Sequence, residues 1–114
     1  MKLFRTKAEP DADGYYRTLP REILQESQIS TVTINRQKII LTLYQGEVVA
    51  YDSRCPHAAA DLSRGTLGGW KAICPDHSYC FDIRNGRLTW PEDEPYRLKI
   101  YPTRLEAGHI YIKL

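Results

Sequence analysis

Two short stretches hold the side chains with most chemistry, Cys55-Pro56-His57 and Cys74-Pro75-Asp76-His77. As a pattern they read C-x-H, sixteen intervening residues, then C-x-x-H. Each stretch offers one thiolate and one imidazole, soft or borderline donors that suit iron–sulfur, zinc or copper. A proline follows each cysteine, fixing φ and removing a backbone donor, so each ligand loop is stiffened before any metal arrives. The chain has three cysteines, an odd count that fits a disulfide framework poorly. In a reducing compartment, Cys beside His reads first as a metal or redox site.

These stretches need a rigid frame, and the rest of the chain is punctuated as short strands. Ser30-Thr31-Val32-Thr33-Ile34 alternates polar and apolar residues, the period of a half-buried strand. Asn35-Arg36-Gln37 then turns, Lys38 to Leu43 runs back, and Gln45-Gly46 turns again into Glu47 to Tyr51, giving a meander. Asn85-Gly86 separates Phe81-Asp82-Ile83 from Leu88-Thr89-Trp90, and Asn-Gly is suited to the positive φ angles of a tight hairpin. Leu98 to Tyr101, Thr103 to Leu105 and His109 to Leu114 follow as strands, with Ala107-Gly108 turning the last pair. Residues 1–14 are polar and end in a loose lead-in or turn, and Pro20 to Gln25 is the only helical candidate. The pattern predicts an all-β fold, an antiparallel β-sandwich or barrel. Cys55 to Leu67 and Cys74 to Tyr79 break the strand pattern.

Composition narrows the function classes. The 114 residues fit a single domain spanning 1–114, with 42% hydrophobic and 26% charged residues typical of a soluble globular protein. A net charge of +2 is too balanced to nominate nucleic acid or an anionic membrane as the partner. The longest apolar runs fall far short of the ~20 residues of a spanning helix. Met1-Lys2-Leu3-Phe4-Arg5 is followed by no apolar stretch of a secretory signal, so the expected location is cytoplasmic.

The two stretches, in their wider context, resemble the Rieske family. The likeness runs through Cys55-Pro56-His57-Ala58-Ala59-Ala60-Asp61-Leu62-Ser63-Arg64-Gly65 and Cys74-Pro75-Asp76-His77-Ser78-Tyr79-Cys80-Phe81-Asp82-Ile83-Arg84-Asn85-Gly86. With the closing strands through Tyr101-Pro102 and Gly108 to Tyr111, it covers roughly residues 15–114. The resemblance implies a Rieske-like sandwich with a small cluster-binding subdomain, about residues 53–83, formed by two loops. It implies one [2Fe–2S] cluster, with Cys55 and Cys74 on an inner iron and His57 and His77 on an outer one. Neutral imidazoles in place of two thiolates raise the potential above that of an all-Cys ferredoxin. A ligating imidazole can also lose its remaining proton, so the potential is expected to fall at alkaline pH.

Departures from the family pattern are informative. Respiratory members bridge the two loops with an extra Cys pair; the comparable positions here are Ala60 and Asp76. Those members also turn a Ser and a Tyr hydroxyl onto the cluster sulfurs, where this chain has Tyr79 and Phe81. The implied potential is at the lower end of the Rieske range of about −150 to +300 mV. A glycine commonly follows the second His and another lies two residues after the first; here they are Ser78 and Ala59.

Other readings of the same residues stand beside this one. A Cys₂His₂ set can hold structural zinc, but zinc-finger spacing groups like ligands, whereas each stretch here mixes Cys with His. Cys80 reads as a small buried hydrophobe, and His109 as structural or solvent-facing. Tyr79 or Trp70 are candidates to shield the cluster, and Arg54, Asp61, Arg64 and Asp76 to form a charged rim. The chain's three histidines cannot also build a mononuclear iron site, which excludes a complete ring dioxygenase. The favoured expectation is a ferredoxin passing one electron from a flavin reductase to a terminal oxygenase. The second is a small subunit of a larger oxidoreductase, of the nitrite-reductase kind. In neither does the chain transform a substrate itself.

Overall fold

The computed structural model describes residues 8–114. Residues 1–7, including the stretch read above for a secretory signal, lie outside the described residues. The alternation seen in the sequence resolves into eleven strands: β1 (Tyr15–Pro20), β2 (Ile29–Ile34), β3 (Gln37–Tyr44), β4 (Glu47–Asp52), β5 (Thr66–Gly68), β6 (Lys71–Ile73), β7 (Cys80–Asp82), β8 (Leu88–Trp90), β9 (Ile100–Tyr101), β10 (Thr103–Glu106) and β11 (His109–Lys113). The helical candidate after β1 is one 3₁₀ turn, Arg21–Ile23, and a second, Leu62–Arg64, follows the first Cys/His stretch. The strands form three antiparallel sheets ordered β1-β11-β10, β2-β3-β4-β9 and β5-β6-β7-β8. No described helix is long and apolar enough to cross a membrane.

The middle sheet works on both faces. Along β3, Ile39, Leu41 and Leu43 point into a core with Ala50, Tyr101, Ile110 and Ile112, closed from outside by Tyr16 and Leu19 of β1. Ile40, between them, points the other way, into a core with Tyr51, Phe81, Ile83, Leu98, Cys55 and Cys74. This is why β3 is a nearly continuous apolar run: a strand buried on both faces has no polar side to show. The second core therefore packs the cysteines directly onto the scaffold. Burial of each large apolar side chain there contributes about 1.5–3 kcal/mol before entropy is counted.

Two local features differ from the sequence reading. Between β7 and β8 the chain does not make a two-residue turn. Of Asn85-Gly86 only Gly86 has positive φ, +81°, and the Asp82 N–H reaches the Arg87 carbonyl at 2.8 Å across a wider loop. Gly86 is required for a different reason: a Cβ there would collide with the Leu98 carbonyl oxygen, while the Leu98 N–H donates to the Gly86 carbonyl at 2.9 Å. Strands β5 and β6 are invisible to periodicity because each has three residues. The lead-in before β1 is a turn, with the Gly14 N–H on the Asp11 carbonyl at 3.0 Å and the Asp11 carboxylate held by Arg104.

Candidate metal centre

Each Cys/His stretch is a tight loop closed by one backbone hydrogen bond. The Cys55 N–H donates to the Ala60 carbonyl at 2.8 Å, and the Cys74 N–H donates to the Tyr79 carbonyl at 2.8 Å. In both cases the partner is the fifth residue after the cysteine, so the loops are local copies of one another. The first is framed by the antiparallel Arg54–Asp61 bridge and by the Leu62 N–H on the Ser53 carbonyl at 2.7 Å. The second tops the β6–β7 hairpin, where Ile73 pairs with Cys80.

The loops bring the four sequence-predicted residues together in two pairs. Cys55 and Cys74 are 2% and 1% exposed, both unbridged, and near enough for their thiols to interact. Burial pushes the Cys74 thiol up to about 11, the Cys55 thiol adds to this, and a hydrogen bond from the Asp76 N–H acts the other way. A thiol buried like this ionises when a cation replaces its proton. His57 and His77 lie further out, with ring centroids 5.4 Å apart and planes at 77°. His77 is exposed and His57 half-buried.

Three observations test whether this donor set fits a binuclear cluster. His57 Nδ1 is buried and has no hydrogen-bond partner, an orphaned nitrogen of the kind a metal satisfies. The thiols lie in the core and the imidazoles at the rim, as two separate pairs. Among the described residues, no three His, Cys, Asp or Glu side chains converge on one point to hold a single ion. Two separate pairs suit two metal atoms better than one tetrahedral zinc, which needs all four donors at one centre. The residues fit the group.

The remaining sequence candidates separate clearly. Cys80 is not the buried hydrophobe expected of it. It is half-exposed in β7, because Phe81 takes the inward position, and its Sγ lies 3.4 Å from the Ser78 carbonyl. His109 sits on β11 with Nε2 3.1 Å from the Arg17 guanidinium, in the sheet remote from the loops. Trp70 packs against the second core, which holds both cysteines, and meets Tyr44 edge-on under Arg84. Tyr79 lies at the loops, its ring stacked on His57 at 3.9 Å. Its hydroxyl is turned outward, donating to Glu94 Oε1 at 2.8 Å, and Glu94 holds that proton so firmly that the phenol is pushed up to about 12. Glu94 and Tyr96, which meets the His57 ring edge-on at 5.5 Å, carry no signal in the sequence spacing.

Asp61 is structural rather than part of a steering rim. Its carboxylate accepts from the Ser63 N–H at 2.9 Å, capping the 3₁₀ turn, and from Lys38 of β3 at 2.8 Å. Lys38 and Ser63 hold its carboxyl at about 2, below the usual carboxylate range. The contribution is therefore present above about pH 4 and lost as pH falls towards 2. The pair is partly exposed, so Asp61→Ala is expected to cost only about 1 kcal/mol at neutral pH. Denaturant unfolding of both proteins at pH 7 and pH 2.5 checks this: the gap narrows at the lower pH.

The loop backbones are strained where family members commonly place glycine. Ala59 and Ser78 have φ of +57° and +58°, the left-handed region where a Cβ is costly. Ala59→Gly and Ser78→Gly are each expected to stabilise the protein by up to about 1 kcal/mol, net of glycine's greater unfolded-state freedom. Thermal unfolding of the single variants measures it, and lowered midpoints refute the strain.

Comparison with known proteins adds an independent line of evidence. A family profile described as Rieske [2Fe-2S] domain matches residues 14–102. The ferredoxin component of a naphthalene 1,2-dioxygenase system from Pseudomonas aeruginosa is 34% identical over 92 residues, 80% of this chain and 86% of the relative. The 3-phenylpropionate/cinnamic acid dioxygenase ferredoxin subunit of Photorhabdus laumondii is 41% identical over 76 residues, 65% of this chain and 70% of that one. Among solved structures, a ferredoxin of Sphingomonas yanoikuyae B1 superposes with a TM-score of 0.78 at 25% identity, covering 86% of this chain and 96% of its own.

Proposed function

Because this chain belongs to the Rieske [2Fe-2S] domain family and carries one such cluster, we propose that Cys55, His57, Cys74 and His77 are its ligands in a one-electron carrier. The observation that carries the assignment is the pairing of two buried thiols with two rim imidazoles, one of them with an orphaned Nδ1. The cluster supplies reversible one-electron exchange. The chain's own residues hold it: the core fixes the thiols, and the rim places the imidazoles at the surface, where electron transfer to a docked protein is shortest.

The two relatives described above are ferredoxin components of dioxygenase systems, and the proposed role is the same: to take electrons from a flavin reductase and deliver them to a terminal oxygenase. The proposed compartment is the cytoplasm, where the unbridged Cys55, Cys74 and Cys80 stay reduced. Reversible, micromolar binding to a reductase, followed by titration calorimetry, supports the carrier. Isolation only as a stable complex with a larger oxidoreductase identifies a fixed subunit instead.

The potential follows from the same site. Hydroxyl donors on cluster sulfurs raise it, and here the Tyr79 hydroxyl is committed to Glu94 while Phe81 has none. A redox titration monitored by EPR is expected to give a midpoint below zero, towards the lower end of the range of about −150 to +300 mV. A clearly positive midpoint contradicts this account.

A further inference from the structure

The two histidines are not equivalent. His77 is exposed, and among the described residues its one aromatic neighbour is the His57 ring. His57 is bracketed. The Tyr79 ring covers its face at 3.9 Å with only 7° between planes, and Tyr96 closes one edge at 5.5 Å and 73°. Tyr96 also meets Tyr79 edge-on at 6.1 Å, and Trp90 does so at 6.4 Å. The Tyr79 hydroxyl is latched to Glu94 at 2.8 Å. The ring is thereby held at three points, and a held ring can hold another.

We propose that Tyr79 is a positioning residue for His57: its stacked ring, latched by Glu94 and braced by Tyr96, sets the imidazole plane and keeps water off that side of the centre. An imidazole bound to metal through one nitrogen is otherwise free to twist about that bond, and twisting changes both orbital overlap and access. The electron then leaves through the uncovered His77. This rests on His57 being a ligand, the assignment proposed for the centre. Reducing the cluster adds a negative charge, which water stabilises, so a covered His57 also keeps the potential low.

The test compares cluster-loaded Tyr79→Leu, Tyr79→Phe and wild-type protein. Tyr79→Leu removes the plane; Tyr79→Phe keeps it and removes only the latch. In Tyr79→Leu the g-values of the reduced cluster shift, the midpoint potential rises, and bleaching in air quickens at least about threefold. Tyr79→Phe keeps the wild-type g-values but broadens their features, because the plane remains and only its latch is gone. A Tyr79→Leu protein with wild-type g-values and potential overturns the proposal, as does a Tyr79→Phe protein altered as much as Tyr79→Leu. Should Tyr79→Leu fail to load, Glu94→Ala frees the ring without removing it: broadened g-features support the proposal and a wild-type line shape overturns it. Wild-type protein that takes up no cluster, or His57→Ala protein that keeps it unchanged, instead defeats the ligand assignment.

Discussion

Replacing His77 with alanine leaves a protein that is nearly colourless and binds less than about a tenth of the wild-type iron. On the proposed ligand assignment there is no redundancy: losing one imidazole leaves the outer iron with a single protein ligand. Changes merely behind a ligand already weaken metal binding about 10–100-fold, so loss of a ligand itself exceeds that. The effect is local, because the core formed by Ile39, Leu41, Leu43, Ile110 and Ile112 contains none of the ligands. The β-sheet signal in far-UV circular dichroism is expected to persist while visible absorption and the rhombic EPR signal disappear. His57, Cys55 and Cys74 variants behave alike. Iron analysis after anaerobic reconstitution decides it, and a His77→Ala protein with full iron and an unchanged EPR spectrum ends the assignment.

The second large effect falls on a glycine with an ordinary backbone. Gly65 has φ of −89°, which any residue adopts, yet a Cβ there would collide with the Ile73 carbonyl oxygen and lie 3.1 Å from Pro75 Cδ. Both neighbours lead into the second ligand loop, while Gly65 itself follows the 3₁₀ turn after the first. Gly65→Ala therefore drives the two loops apart. Neither obstacle is a flexible side chain that can swing away, so the cost is about 3 kcal/mol or more. Two readouts apply: a lower unfolding midpoint of the apoprotein and a cluster that assembles poorly. Near-wild-type values of both show that the loops can part without penalty.

Much of the scaffold is legible in the order of residues alone. The meander β2–β3–β4 and the closing pair β10–β11 fall where their apolar residues and turn signals place them, nearly to the residue. The four donors stand out by type and spacing, and the fold gathers them. What stays hidden depends on contacts across the chain. Nothing in the spacing of Tyr79, Glu94 and Tyr96 marks them as one bracket, since no period links the ends of different loops. Gly65 and Gly86 are needed because carbonyls of Ile73 and Leu98 approach them, and a sequence does not display such approaches. Cys80 defeats the expectation of burial because one residue decides which of two neighbours faces inward in a three-residue strand, and Phe81 has more apolar surface to hide. The Asn85-Gly86 pair signals the hairpin correctly but not its width, because the Leu98 backbone claims the glycine.

The pairing of β4 with β9 has one more consequence. Ala50 lies opposite Tyr101 and Tyr51 opposite Ile100, so everything between 53 and 98 departs from and rejoins the scaffold at adjacent points. The ends of that excursion are already neighbours, which makes the metal-bearing portion a cassette. Exchanging it for another of different potential needs no re-threading of the rest of the chain, provided the new insert fills the core face of Ile40 and Tyr51.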